Sequence, residues 1–139
     1  MKRIMLLWCF AATTALGSPA FDAWAGQEKV VSGQAAASEL ELRGVEVRSD
    51  GSVTGTVVNG THFVIKDVVL MVNHAWSWSD ERNPGEDNPG RAGYVRVTGE
   101  IPAKGSMAFS YAPEPPLMNR TDGRFQTAAA VQSFTEIGD

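Results

Sequence analysis

The stretch that decides the fold, residues 52–78, has the sequence SVTGTVVNGTHFVIKDVVLMVNHAWSW. In its second half apolar residues occupy alternate positions, so one face of an extended strand collects Val68, Leu70, Val72, Trp76 and Trp78. Val69 and Met71 lie on the opposite face, which predicts a central strand covered on both sides near its middle. Asn59-Gly60 accepts the positive φ of a tight turn. We therefore predict strands at 53–58 and 64–78.

Four further β-type runs lie on either side of this stretch, and turn-forming residues close each of them: Leu40–Arg48, Tyr94–Thr98, Met107–Tyr111 and Phe125–Ile137. In the first run Gly44 shifts the alternation, which predicts a β-bulge and an inward set of Leu40, Leu42, Val45 and Val47. Short strands at this spacing are typical of a β-sandwich. We predict an all-β fold, a single antiparallel immunoglobulin-like β-sandwich of about seven strands over residues 39–139.

The start of the chain has the pattern of a secretory signal peptide. Lys2 and Arg3 precede an apolar run that is shorter than the roughly 20 residues of a membrane span. Ala23-Trp24-Ala25 then supplies a cleavage pattern. We predict a signal peptide at 1–25, cleaved after Ala25 or, as second choice, after Ala20. The mature protein is then periplasmic or secreted, without membrane insertion, and lacks the only cysteine, Cys9.

Residues 26–38, GQEKVVSGQAAAS, are small, polar and aperiodic, which predicts a flexible tether or a frayed helix before the domain. The net charge of the chain is −4, and its basic residues are scattered. This distribution disfavours nucleic-acid binding. The sequence has no G-x-S-x-G, no H-E-x-x-H and no Gly-rich phosphate loop. We therefore expect neither enzymatic activity nor a cofactor.

Two segments, GTVVNGTHFVIKDVVLMV and IPAKGSMAFSY, resemble the FxLYD-type domains and related small exported bacterial modules. The matching positions are Gly55, Val57, Asn59, Thr61, Val68, Leu70, Val72, Pro102, Gly105 and Phe109. The chain departs from the pattern after Val72, where Asn73-His74-Ala75-Trp76 replaces the motif that names the family, and in the long insertion 79–93. The resemblance implies an immunoglobulin-like fold and a location in the cell envelope. It implies no catalysis and transfers no functional residue.

The segment from Trp78 to Tyr94 is the candidate interaction surface, because its loop exceeds the usual hairpin connection of about two to five residues. The candidate residues are Trp78, Asp80, Glu81, Arg82, Glu86, Asp87 and Tyr94. Two Asn-Pro-Gly turns, at 83–85 and 88–90, also explain the loop as a solvated connection. Its oxygens suit calcium, but the EF-hand spacing is absent.

Other side chains favour alternative sites. Imidazole and thioether groups suit copper, and the chain offers His62, His74, Met71, Met107 and Met118. These residues have no recognised ligand spacing, and methionines also fill gaps in cores. Trp76 and Trp78 are predicted to form either a stacking platform for sugars or peptides or a part of the core.

The sequence thus predicts an exported, non-catalytic immunoglobulin-like domain. Its expected role is that of a protein-interaction or accessory module of the bacterial cell envelope, with an envelope protein or polymer as partner. The 78–94 region is the predicted surface, and an exposed edge strand offers a second route by β-augmentation. The alternative function is a periplasmic carrier of a small ligand or of a metal, calcium or copper.

Overall fold

The computed structural model describes residues 26–138, and the predicted signal peptide with Cys9 lies outside them. The elements are β1 (Glu28–Ser32), α1 (Gly33–Glu39), β2 (Leu40–Val47), β3 (Val53–Asn59), β4 (Val64–Trp78), β5 (Arg91–Val97), β6 (Ser106–Tyr111) and β7 (Gly123–Ile137). They form a four-stranded sheet in the order β1-β7-β4-β5 and a three-stranded sheet in the order β2-β3-β6. Every pair of strands is antiparallel. The predicted all-β sandwich of seven strands is confirmed.

The centre of the larger sheet is β4, which pairs with β7 along its whole length and with β5 over its middle. Its alternation places Val68, Leu70 and Val72 between the sheets, where each is fully buried. Asp67, at a φ of 51°, marks a register irregularity against β7. The irregularity turns Ile65 inward as well, although it stands an odd number of residues before Val68.

The smaller sheet supplies the opposite wall of the core. Val53 and Val57 of β3 are fully buried, and Phe109 and Tyr111 of β6 lie beside them on the inner face. Phe134 of β7 fills the same space from the larger sheet. Each fully buried side chain of this kind contributes about 1.5–3 kcal/mol to stability. The core therefore rests on alternate residues of both sheets.

Asn59, at the end of β3, ties together the corner between the two sheets. Its side chain is fully buried, and its Nδ2 lies 2.8, 3.2 and 3.0 Å from the carbonyl oxygens of Phe63, Ile101 and Pro102. Its Oδ1 accepts hydrogen bonds from the backbone N–H and the hydroxyl of Thr61, at 2.9 and 2.8 Å. One amide thus satisfies the polar groups of two separate turns.

The predicted positive φ at Asn59-Gly60 is wrong, because neither residue is among the described residues that have a positive φ. The strands that flank the pair belong to different sheets, so it forms a corner rather than a hairpin. Glycine is required at position 60 for a different reason. A Cβ there would overlap the carbonyl oxygen of Glu39, to which the Gly60 N–H donates a hydrogen bond of 3.0 Å.

The prediction of a flexible tether at 26–38 is also wrong, whereas its alternative, a frayed helix, is met in part by α1. This segment forms β1, which pairs with the end of β7, and most of α1. Each element contributes one buried apolar residue, Val31 and Ala36, so neither shows a periodic pattern in the sequence. Within residues 26–138 no helix has the length and apolar character needed to cross a bilayer.

The predicted bulge at Gly44 is confirmed, since its φ is 58° and the register of β2 against β3 shifts between Arg43 and Glu46. The expected burial of Val45 and Val47 is wrong. Val47 pairs with the buried Val53 and so faces inward, yet Val47 is 47% exposed and Val45 39% exposed. This part of β2 therefore lies on an open side of the sandwich.

Replacing Asn59 with alanine is expected to destabilise the fold strongly, because buried carbonyl groups at both turns would lose their donor. We expect Asn59→Ala to lower the free energy of unfolding by about 2–4 kcal/mol. Asn73→Ala is the matched control, since Asn73 is exposed on β4, and should change it by less than about 0.5 kcal/mol. Urea unfolding followed by circular dichroism measures both. Equal effects would contradict the assigned role.

Candidate functional site

The end of β4 carries an aromatic cluster on the inner face of the sheet. Trp76 and Trp78 occupy alternate positions there, and the pairing with β7 places Phe125 opposite Trp76. The ring centroids of Trp76 and Phe125 lie 4.7 Å apart, and those of Trp76 and Trp78 lie 5.8 Å apart, both in edge-to-face geometry. This geometry is the favoured one for aromatic pairs. The two indoles therefore form one packed unit.

Arg120 covers this aromatic unit. Its guanidinium carbon lies 5.2 Å from the ring centroid of Trp76 and 5.3 Å from that of Trp78, within the range of cation–π attraction. The same guanidinium forms ion pairs with Asp122 and with Asp87. Arg120 thus joins the segment between β6 and β7 to the loop between β4 and β5.

The ion pairs stabilise the charged forms of all three groups. Hydrogen bonds from Arg120 lower the pKa of Asp122 and of Asp87 below the ordinary value of an aspartate. The two carboxylates, Asp122 first, raise the pKa of Arg120 in return. The cluster therefore stays charged across the neutral pH range.

The loop 79–90 is held in shape by its own polar side chains. The Asp80 carboxylate accepts hydrogen bonds from the side chain of Asn83 at 2.8 Å and from the Arg82 N–H at 3.1 Å. These bonds, that of Asn83 first, lower the pKa of Asp80. Gly85 lies against the six-membered ring of Trp78, where a Cβ would overlap the indole. The loop is therefore anchored at both Asp80 and Gly85.

The structure brings only part of the predicted surface together. Trp78, Asp80 and Asp87 lie within the anchored end and are used for internal contacts. The exposed side chains of this loop include Glu81, Arg82 and Glu86. Tyr94 is also exposed, at 62%, but it pairs with Met71 and lies on the outer face of the larger sheet, whereas Trp78 is on the inner face.

Arg120 is the residue of this site that sequence reasoning missed. It stands between two turn residues, Asn119 and Thr121, and nothing in that pattern indicates a partner. Only a contact between segments far apart in the chain reveals its role. Its position settles the question of the tryptophans. Arg120, Phe125 and Gly85 lie against the two indoles. Trp76 and Trp78 therefore pack as part of the structure.

The two histidines lie in different environments. His62 is exposed in the turn before β4, whereas His74 is fully buried on the inner face. His74 Nδ1 lies 2.8 Å from the Thr127 hydroxyl, and its ring stacks on Tyr111 with centroids 5.8 Å apart. The structure does not bring the two imidazoles together. In the part of the chain that is described, no three His, Cys, Asp or Glu side chains are grouped to hold a metal ion.

Comparison with protein-family models, with curated proteins and with solved structures gives no match. The resemblance to FxLYD-type domains therefore stays a prediction.

Replacing the guanidinium of Arg120 with the ammonium group of a lysine tests whether this residue holds the loop. We expect Arg120→Lys to lower the urea midpoint, because lysine cannot bond two carboxylates as a planar fork while it covers two indoles. Arg96→Lys is the matched control, since Arg96 bonds one exposed carboxylate, that of Asp67. It should leave the midpoint unchanged. Equal midpoints for the two variants would show that the Arg120 contacts do not stabilise the fold.

The burial of the His74 imidazole predicts that the stability of the fold depends on pH. Burial, and secondarily the charge of Arg91, lower its pKa in the folded protein below the ordinary value of about 6.5. Between the two values the unfolded chain binds a proton that the folded chain excludes. The contribution of the neutral His74 to the free energy of unfolding should therefore be fully present above about pH 6.5. Stability should fall as the pH drops below that value.

Urea midpoints at pH 7.5 and pH 5.5 measure this effect. We expect His74→Gln to reduce the difference between the two midpoints, because glutamine does not titrate. His62→Gln should keep the full difference, since His62 is exposed. The explanation fails if the two variants have the same pH dependence.

Proposed function

We propose that this chain is an exported, non-catalytic module of the bacterial cell envelope that binds an envelope protein or polymer. The observation that carries the proposal is the way in which Arg120 and Trp78 hold the loop 79–90. A loop fixed in one shape loses little conformational entropy when it binds. The exposed charges of Glu81, Arg82 and Glu86 on this loop then supply orientation and selectivity towards a partner.

Two further features support the proposal. Export is favoured by the signal-peptide pattern at 1–25, with its basic start, apolar run and Ala23-Trp24-Ala25. A non-catalytic role is favoured by the position of His74. This imidazole contacts the hydroxyl groups of Thr127 and Tyr111, but it is fully buried between the sheets, where a substrate does not reach it.

The test removes the exposed charges of the loop without touching its anchors. The triple variant Glu81→Ala, Arg82→Ala, Glu86→Ala should fold normally and lose binding to its partner. The matched control is Arg96→Ala, Glu100→Ala, Glu114→Ala, which removes the same number of each charge at exposed positions outside this loop. Tagged proteins are incubated with envelope extract and with insoluble cell-wall material, and the captured components are identified by mass spectrometry.

We expect the wild type and the control triple to retain the same component, and the loop triple to lose it. Identical captured material for all three proteins would exclude the loop as the binding surface. Loss with both triples would indicate a general charge effect instead.

A further inference from the structure

The strand β7 has a partner on both sides only at its C-terminal end. β4 pairs with it from Gly123 to Ile137, whereas β1 pairs only with residues 133–137. Within residues 26–138, no strand pairs with the other side of residues 123–132. Because N–H and C=O groups point alternately to the two sides of a strand, about half of the backbone groups in this stretch face away from β4. Because α1 follows β1 and stands next to Ala129–Val131, the part of this edge that is available for strand pairing is residues 123–128.

The edge borders an open trough between the two sheets. At one end Leu40–Leu42 of β2, Ala129–Val131 of β7 and the end of α1 line a groove of about 580 Å³. Towards the other end a second groove of about 430 Å³ is lined by Ser49–Asp50, by Trp76 and Gly123–Phe125, and by the segment Pro116–Arg120. We call the space between them the β2–β7 trough. Leu42, Phe125 and Ala129 line the two grooves, and alternation along β2 and β7 turns Val45, Val47 and Thr127 to the same side.

The middle of the trough is apolar and incompletely covered, whereas charged residues stand at its two ends. Val45 and Val47 face inward but are 39% and 47% exposed, whereas Val53, which pairs with Val47, is fully buried. The inward residues of β7 from Phe125 to Ala129 are half-buried, and burial is complete only from Val131 onward. Exposed apolar side chains and unpaired backbone groups thus lie on the same side of the molecule. One added strand would cover both.

We propose that an extended segment of another polypeptide adds to the edge of β7 at residues 123–128, as an antiparallel strand in line with β1. β1 already occupies the same side of β7 in antiparallel pairing, which fixes the position and direction of the added strand. Its alternate side chains enter the trough, so they are apolar. β7 carries no charge from Phe125 to Ala128, so the part of the segment that pairs with these residues is uncharged as well.

The shape of the edge selects a single strand rather than a second copy of this domain. The end of α1 stands next to Ala129–Val131, and β2 runs along the other border of the trough. The edge is therefore recessed, and a slender extended segment enters it. The edge of a second sandwich would bring its own α1 against the first. None of residues 79–90 lines either groove, so a change in the exposed charges of that loop leaves this interface intact.

The probe is a fluorescein-labelled peptide, KTVTVTVK, in which valine alternates with threonine and the terminal lysines maintain solubility. Fluorescence polarisation should show saturable binding to residues 26–139. Two control peptides carry N-methyl groups on alternate residues, one set on each edge of the strand. One of them should lose binding, because it lacks the N–H groups that face β7. Hydrogen exchange should show increased protection of the amides at 124–128 with the unmodified peptide.

The protein variants are Val47→Lys and, as matched control, Val30→Lys, since Val30 is 70% exposed on β1 outside the trough. Val47→Lys should weaken binding roughly tenfold or more, because it removes an apolar contact and places a charge in the trough. Val30→Lys should bind like the wild type. Circular dichroism checks that both fold, and if Val47→Lys does not, the N-methylated peptides on the wild type decide.

Four results would overturn the proposal. The first is no saturation at millimolar peptide, and the second is equal binding of both N-methylated peptides. The third is protection at β5 instead of β7. The fourth is a dimer, detected by analytical ultracentrifugation, that Val47→Lys abolishes and Val30→Lys does not, since the trough would then hold a second copy. The charge-free loop triple described above should bind the peptide normally, which separates this interface from the proposed loop function.

Discussion

Burial of the inner face of β4 is the constraint on which the rest of the structure depends. This strand pairs with β7 and β5 and sends Val68, Leu70 and Val72 into the core, where they are fully buried. The same alternation, carried further along the strand, also directs His74 and the two tryptophans inward. A sheet face with this much apolar surface must be covered by a second sheet, and β3 and β6 supply that opposite wall.

The inner face of β4 is covered in different ways at the two ends of the strand. Near its start the corner between the sheets is closed by the fully buried amide of Asn59, which bonds backbone groups of two turns. At the other end the inner face continues past the aliphatic core, and Trp76 and Trp78 are covered by Arg120. The ion pair of Arg120 with Asp87 then fixes the loop 79–90, so the candidate interaction surface is a consequence of covering the indoles.

Much of the fold followed from local pattern. The limits of β4 and the bulge at Gly44 agree with the alternation of the sequence. The structure of the segment 26–38 did not follow from local pattern. β1 and α1 each contribute one buried side chain, and a single buried position has no period. Val47 shows the opposite case. Its direction was predicted, but its exposure depends on whether another strand lies across from it.

The sequence by itself determined which residues face inward along β2 and along β4 after Asp67, because side-chain direction alternates with a period of two within one segment. It also determined where turns interrupt the strands. Only the tertiary structure decided that Arg120 meets Trp76, Trp78 and Asp87, and that β1 ends at Ser32 and leaves the edge of β7 open. Contacts of this kind join segments distant in the chain, so they depend on strand order and register, which local alternation does not encode.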